Sequence, residues 1–172
     1  MATLNLNDQR RIDAIVDDVK LRTGFSYPEK NLLDLAKAED IKVFEADLST
    51  IGSNISGVLE YDDDKTKKNP KIFINSKITK NRKVFTLAHE LGHHFLHEGR
   101  KLRLDTLDYS KNDKDTKDES EANYFAASIL VPKEQLDFRL KKGDSIEELA
   151  SYFGVSESVI TNRIKWINSN LT

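Results

Sequence analysis

All four histidines of this 172-residue chain fall within nine positions: His89, His93, His94 and His97, in the stretch F-T-L-A-H-E-L-G-H-H-F-L-H-E-G. Two of them, His89 and His93, frame a glutamate in the pattern H-E-x-x-H. On a helix, residues four apart lie one above the other with Cβ atoms ~6 Å apart, so both imidazoles can converge on one metal ion. Glu90 sits one position round from His89, near enough to touch a water at that ion but badly placed to ligate it. That division of labour suits metal-assisted peptide hydrolysis. Zinc lowers the pKa of a bound water towards ~7 and polarises a carbonyl. The carboxylate takes the water's proton and hands it to the leaving amine. Three fixed residues also arise by chance in unrelated helices, where the histidines would form an ordinary polar face.

His97 continues the same face, yet it lies eight residues beyond His89, ~12 Å along a helix axis. One ion with ~2.1 Å bonds cannot bridge that distance. His94 points about 100° away from His93. Both read as surface histidines or outer partners of the site, and Gly92 reads as room for a neighbouring strand or substrate. The third ligand must come from another segment. In E-S-E-A-N-Y-F-A-A-S-I-L, residues 119–130, Ala122, Phe125, Ala126 and Ile129 form the inner stripe, and Glu121 lies over Phe125 at its border. A carboxylate there is costly unless paired, and a metal cation is a good partner. Glu119 is the alternative, one turn earlier, where a helix start often carries a solvated acid. The pattern favours Glu121.

The elements that must position these groups follow from periodicity. Ile12, Ile15, Val16 and Val19 predict a helix over Asn7–Arg22 with Gly24 as its stop. Pro28 is expected to open a second helix with Leu32, Leu33, Leu35 and Ala36 inward. Three β-like runs follow, at 41–46, 56–61 and 71–75, and predict a small three-stranded antiparallel sheet with a solvated turn between the last two. Val84, Leu87, Ala88, Leu91 and Phe95 then give the histidine segment its apolar stripe, with Gly99 as its end. Residues 105–118 are polar enough to read as a mobile loop and candidate lid. A helix is expected from about Glu119 to the Val131-Pro132 stop.

Composition narrows the function further. The chain has no cysteine, which removes thiolate zinc sites, iron–sulfur clusters and cysteine nucleophiles. Its formal charge of -2 mixes many charges of both signs and argues against a dominant phosphate-binding surface. The first residues carry charges too early for a signal peptide, and no run approaches the ~18 apolar residues of a membrane span. A cytoplasmic protein without a membrane partner is the expectation.

The pair of segments V-F-T-L-A-H-E-L-G-H-H-F-L-H and E-S-E-A-N-Y-F-A-A-S-I-L-V-P resembles the ImmA/IrrE family of bacterial and prophage metallo-endopeptidases. The likeness is strong over residues ~80–132, with Ile129-Leu130-Val131 departing from the family's commoner leucine/methionine run. It implies a zincin-like α+β fold in which residues 1–132 form the metallopeptidase domain. It implies His89, His93 and Glu121 as metal ligands, Glu90 as general base and one Zn2+ per chain; Mn2+ or Fe2+ would suit the same donors. It further implies cleavage of one specific protein partner, such as a transcriptional repressor of a prophage or mobile element.

The remaining residues, 133–172, are expected to form a C-terminal helical module packed on that domain. S-I-E-E-L-A-S-Y-F-G-V-S-E-S-V-I-T-N-R-I-K-W-I resembles a helix-turn-helix, in which Arg163 and Lys165 could contact phosphates. The competing function is therefore a DNA-binding or protein-binding regulator with an idle zincin fold, including a toxin–antitoxin component. Glu157 and Ser158 at the start of the second helix are poor base readers, and the chain is not basic, so direct nucleic-acid binding is not expected.

Overall fold

Local signals set most helix ends. The computed structural model describes residues 4–98, 102–106 and 113–169. Asn5 caps α1 (Leu6–Thr23) by accepting from the Asp8 backbone N–H, and Gly24 closes it in the left-handed region, φ 62°. Asn31 and Asp34 form a reciprocal capping box on α2 (Leu32–Ala38). Pro28 lies in the turn before that helix rather than at its first position. Leu32, Leu35 and Ala36 are buried, whereas Leu33 faces solvent at 55% exposure.

The sheet departs from expectation. Its strands are β1 (Lys42–Ala46), β2 (Ile55–Glu60), β3 (Lys71–Asn75) and β4 (Leu102–Thr106), in the order β1-β3-β2-β4. β3 runs antiparallel to β2, and β4 also pairs antiparallel with β2, but β1 lies parallel to β3 with Val43 opposite Ile72. The sheet is thus mixed and four-stranded, not an antiparallel set of three. Alternating side chains announce a strand but carry no record of its neighbour, and β3 inserts between β1 and β2. The extra strand comes from a segment adjoining the expected loop. An edge strand pairs through its backbone, so a polar run such as L-R-L-D-T can supply one.

Two long helices carry the candidate chemistry. Thr79 caps α3 (Lys80–Leu96), which ends with His97 as its C-cap. α4 (Asp113–Leu130) begins six residues before the expected Glu119, so the loop expected over 105–118 is strand and helix at its two ends. Residues 107–112 of that candidate lid lie outside the described residues. α3 and α4 cross closely because Gly92 has no side chain. A Cβ there would meet the Ala122 carbonyl oxygen at 3.1 Å and the Phe125 ring at 3.1 Å. The room that Gly92 leaves is filled by α4, not by a strand or substrate.

The chain continues through α5 (Lys133–Lys141), α6 (Ile146–Phe153) and α7 (Glu157–Ser169), with Gly154 in the left-handed region between the last two. One apolar cluster joins Ile12, Leu35, Ile72, Leu91, Phe125, Phe153 and Ile160. The opposite face of the sheet holds a smaller cluster of Leu48, Ile55 and Val58. Arg163 on α7 is buried, its guanidinium donating to the Val131 carbonyl at 3.1 Å and to Ser128 Oγ at 2.9 Å. It ties α7 to the end of α4 and cannot reach a phosphate from there. Tyr27 on the N-terminal side donates to the Phe153 carbonyl at 2.7 Å, a second bolt on the tail. Among the described residues no helix is long and apolar enough to cross a membrane.

Candidate metal centre

His89, Glu90 and His93 all lie on the buried side of α3, with 3%, 0% and 2% exposure. Successive turns bring His89 Nε2 within 3.0 Å of His93 Nε2. Glu119, on α4, closes the group. Its Oε2 lies 3.1 Å from His89 Nε2 and its Oε1 3.3 Å from His93 Nε2. Ligands on a tetrahedral ion with bonds of ~2.0–2.1 Å stand about 3.3 Å apart. The observed separations are those of donors already gathered to hold a cation.

Hydrogen bonding tells which ring atoms face the common centre. His89 Nδ1 is 2.9 Å from Asn123 Oδ1, an amide oxygen that only accepts. The ring therefore donates from Nδ1 to Asn123 and turns Nε2 towards His93 and Glu119. On the other ring, His93 Nδ1 is 2.9 Å from His97 Nδ1, and His97 Nε2 is 2.9 Å from Glu121 Oε2. A carboxylate accepts, so His97 donates from Nε2 and accepts at Nδ1 from His93, whose Nε2 is turned to Glu119. Two imidazole Nε2 atoms and one carboxylate then point at a common centre. This donor set fits a divalent metal.

Burial works to raise the Glu119 carboxyl, but hydrogen bonds and charge from His89 and His93 outweigh it and hold the group well below the carboxylate range. Glu119 is thus ionised at neutral pH. Glu90 occupies the space between α3 and β2. A Cβ on Gly57 would fall 3.0 Å from Glu90 Oε1 and 2.6 Å from Thr86 Cγ2, so only glycine lets this strand pass.

The comparisons with known proteins point the same way. The IrrE N-terminal-like domain family matches residues 36–165. Metallopeptidase ImmA of Bacillus subtilis (strain 168) is 30% identical over 148 residues, 84% of this chain and 80% of that protein. The chain belongs to the ImmA/IrrE family. It is a family of metallopeptidases, and membership brings with it a divalent metal and a protein substrate.

Within this family member, the structure brings Glu119, not Glu121, to the two histidines. Glu121 is buried as the sequence argument required, but against other partners: Arg11 at 2.7 Å and His97 at 2.9 Å. Two residues along a helix turn the side chain by about 200°, so only one of the two glutamates can face His89 and His93. A usable signal was present. Asn123 lies four residues after Glu119, on the same face, and both touch His89. His97 does not join the first group, yet its side chain is only 8% exposed and it bonds directly to His93. His94 is half-buried, hydrogen-bonded to the Tyr61 hydroxyl at 2.9 Å. Burial, aided by the Lys67 ammonium, pushes its pKa down to about 4 and keeps the ring neutral. Lys67 itself donates to the His94 carbonyl at 2.5 Å, so the lysine-rich turn docks on the end of α3 rather than standing free in solvent.

Proposed function

We propose that this chain is a zinc-dependent endopeptidase that cleaves one specific protein partner, a transcriptional repressor encoded beside it on a prophage or mobile element. The convergence of His89 Nε2, His93 Nε2 and the Glu119 carboxylate within 3.0–3.3 Å carries the reading. These three residues would hold the ion; Glu121, the third ligand expected from the sequence, has its carboxylate committed to Arg11 and His97. Bound there, zinc supplies Lewis acidity towards a carbonyl and a water.

The chain's own residues do the rest. Asn123 and His97 hold the two imidazoles with Nε2 facing Glu119, so neither ring has to turn when substrate arrives. Glu90 accepts a proton from the attacking water at its carboxylate and returns it to the nitrogen of the leaving amine. Its complete burial beside Gly57 holds that carboxylate in one orientation. A family relative named as a metallopeptidase supports hydrolysis over a purely binding role. The burial of Arg163 removes one of the two cations on which a DNA-binding tail would have relied.

The test is incubation of the purified chain and zinc with the neighbouring repressor, beside Glu90→Gln. Fragments from the wild type alone are expected. Equal fragments from both, or none from either with metal bound, would end the proposal.

A further inference from the structure

His93 is held by a chain of contacts that reaches the N-terminal helix. His93 Nδ1 meets His97 Nδ1 at 2.9 Å, His97 Nε2 meets Glu121 Oε2 at 2.9 Å, and Arg11 donates to Glu121 Oε1 at 2.7 Å. We propose that His97, Glu121 and Arg11 are positioning residues that hold His93 with its Nε2 aimed at Glu119, and that α1 thereby sets the metal affinity of the site. The inference rests on the metal-site reading above and deepens it.

Three observations carry it. The first is direction. Glu121 accepts from His97 Nε2, which leaves His97 Nδ1 to accept from His93 Nδ1 and turns His93 Nε2 to Glu119. The reverse arrangement would aim a lone pair of His97 at a carboxylate. The second is burial, since the His97 and Glu121 side chains are 8% and 5% exposed. Water therefore competes poorly for these bonds, and outer partners of a ligating histidine typically contribute ~10–100-fold to metal affinity. The third is charge. His97, Asp118 and Glu121 also gather closely enough to suggest a second metal cluster. Arg11 at 2.7 Å and Lys117 at 3.9 Å from Glu121 already compensate that carboxylate, which makes it an anchor rather than a ligand. Arg11 belongs to α1, which precedes the stretch 36–165 matched by the family. Asp8 and Asp13 of the same helix bind Lys117 at 3.3 Å and the Tyr124 hydroxyl at 3.1 Å, so α1 is clamped along α4 at three points.

The experiment measures zinc affinity of the full chain by competition with a chromogenic chelator, and the visible spectrum of the cobalt(II)-loaded protein. Thermal unfolding of chelator-treated samples reports the fold separately. His97→Phe and Glu121→Leu should each weaken zinc by ~10–100-fold and shift the cobalt absorption. Glu121→Gln should recover part of the loss, because its amide oxygen still accepts from His97. Arg11→Leu, at a side chain 43% exposed, should give a smaller loss and keeps the test open if a buried variant does not fold. Zinc affinity and cobalt spectrum unchanged in folded His97→Phe or Glu121→Leu would overturn the proposal. So would a Glu121→Leu loss as severe as that of Glu119→Ala, which would make Glu121 a ligand itself. If His89→Ala and Glu119→Ala also bound zinc normally, the metal-site reading would fall, and with it the basis for this one.

Discussion

Among the described residues, two clusters of imidazole and carboxylate lie between α3 and α4: His89, His93 and Glu119 in one, His97, Asp118 and Glu121 in the other. The first holds two histidines and one acid, the second one histidine and two acids; the imidazoles come from α3 or its C-cap and the acids from α4. Their surroundings separate them. The first aims two imidazole Nε2 atoms and a carboxylate at one point, with separations of 3.0–3.3 Å. The second is met by Arg11 and Lys117, whose charges satisfy Glu121 before any ion arrives. Donor identity alone does not make a metal centre. What matters is whether the protein has already supplied the compensating cation, and here it does so for one cluster through α1.

The largest expected effect separates the two glutamates. Glu119→Ala should reduce zinc affinity well beyond the ~10–100-fold expected of an outer partner, while Glu121→Ala should stay within that range; equilibrium dialysis distinguishes them. Comparable losses would erase the distinction between ligand and anchor. Glu90→Gln should leave zinc affinity intact and lower kcat/KM on the cleaved partner by about a hundred- to ten-thousand-fold, read by following fragment formation. A third change strikes both clusters together. Gly92→Leu would drive a side chain into the Ala122 backbone and Phe125. Overpacking of this kind costs ~1–3 kcal/mol, which urea unfolding would register, and zinc affinity should fall because α4 is displaced.

Charge offers a sharper probe of the second cluster. Wild type should bind one equivalent of zinc. Arg11→Ala combined with Lys117→Ala should allow a second, weaker equivalent, which isothermal titration would detect; unchanged stoichiometry would mean that the two cations are not what excludes it. The smallest effect concerns His94, whose folded pKa of about 4 lies below the ordinary 6.5. The unfolded chain then binds more protons between those values, so this residue's contribution to stability is present above pH 6.5 and declines as pH falls towards 4. Lowering the pH from 7 to 5.5 should therefore cost wild type about 1 kcal/mol more than His94→Gln, measured by urea unfolding in the presence of a chelator.

The histidine pair, its adjacent glutamate and the helix that bears them were legible because they need only the helical period. Four residues return the side chain to the same face, whatever the rest of the chain does. Helix caps at Asn5, Asn31, Thr79 and Ser145 belong to the same class of local information. The outward turn of Leu33, the parallel pairing of β1 and the presence of β4 did not follow from any local pattern. Each depends on which distant segment arrives beside it.

The third carboxylate shows the boundary most clearly. Sequence alone determined that a buried acid in the segment 119–121 must face a cation or a hydrogen-bonded partner, since burying it bare is too costly. Only the tertiary structure decided that Glu119 meets His89 and His93 while Glu121 meets His97 and Arg11. The rotation of α4 about its own axis made that choice. Packing of Gly92 against Ala122 and Phe125 sets that rotation, and no spacing within either helix encodes it.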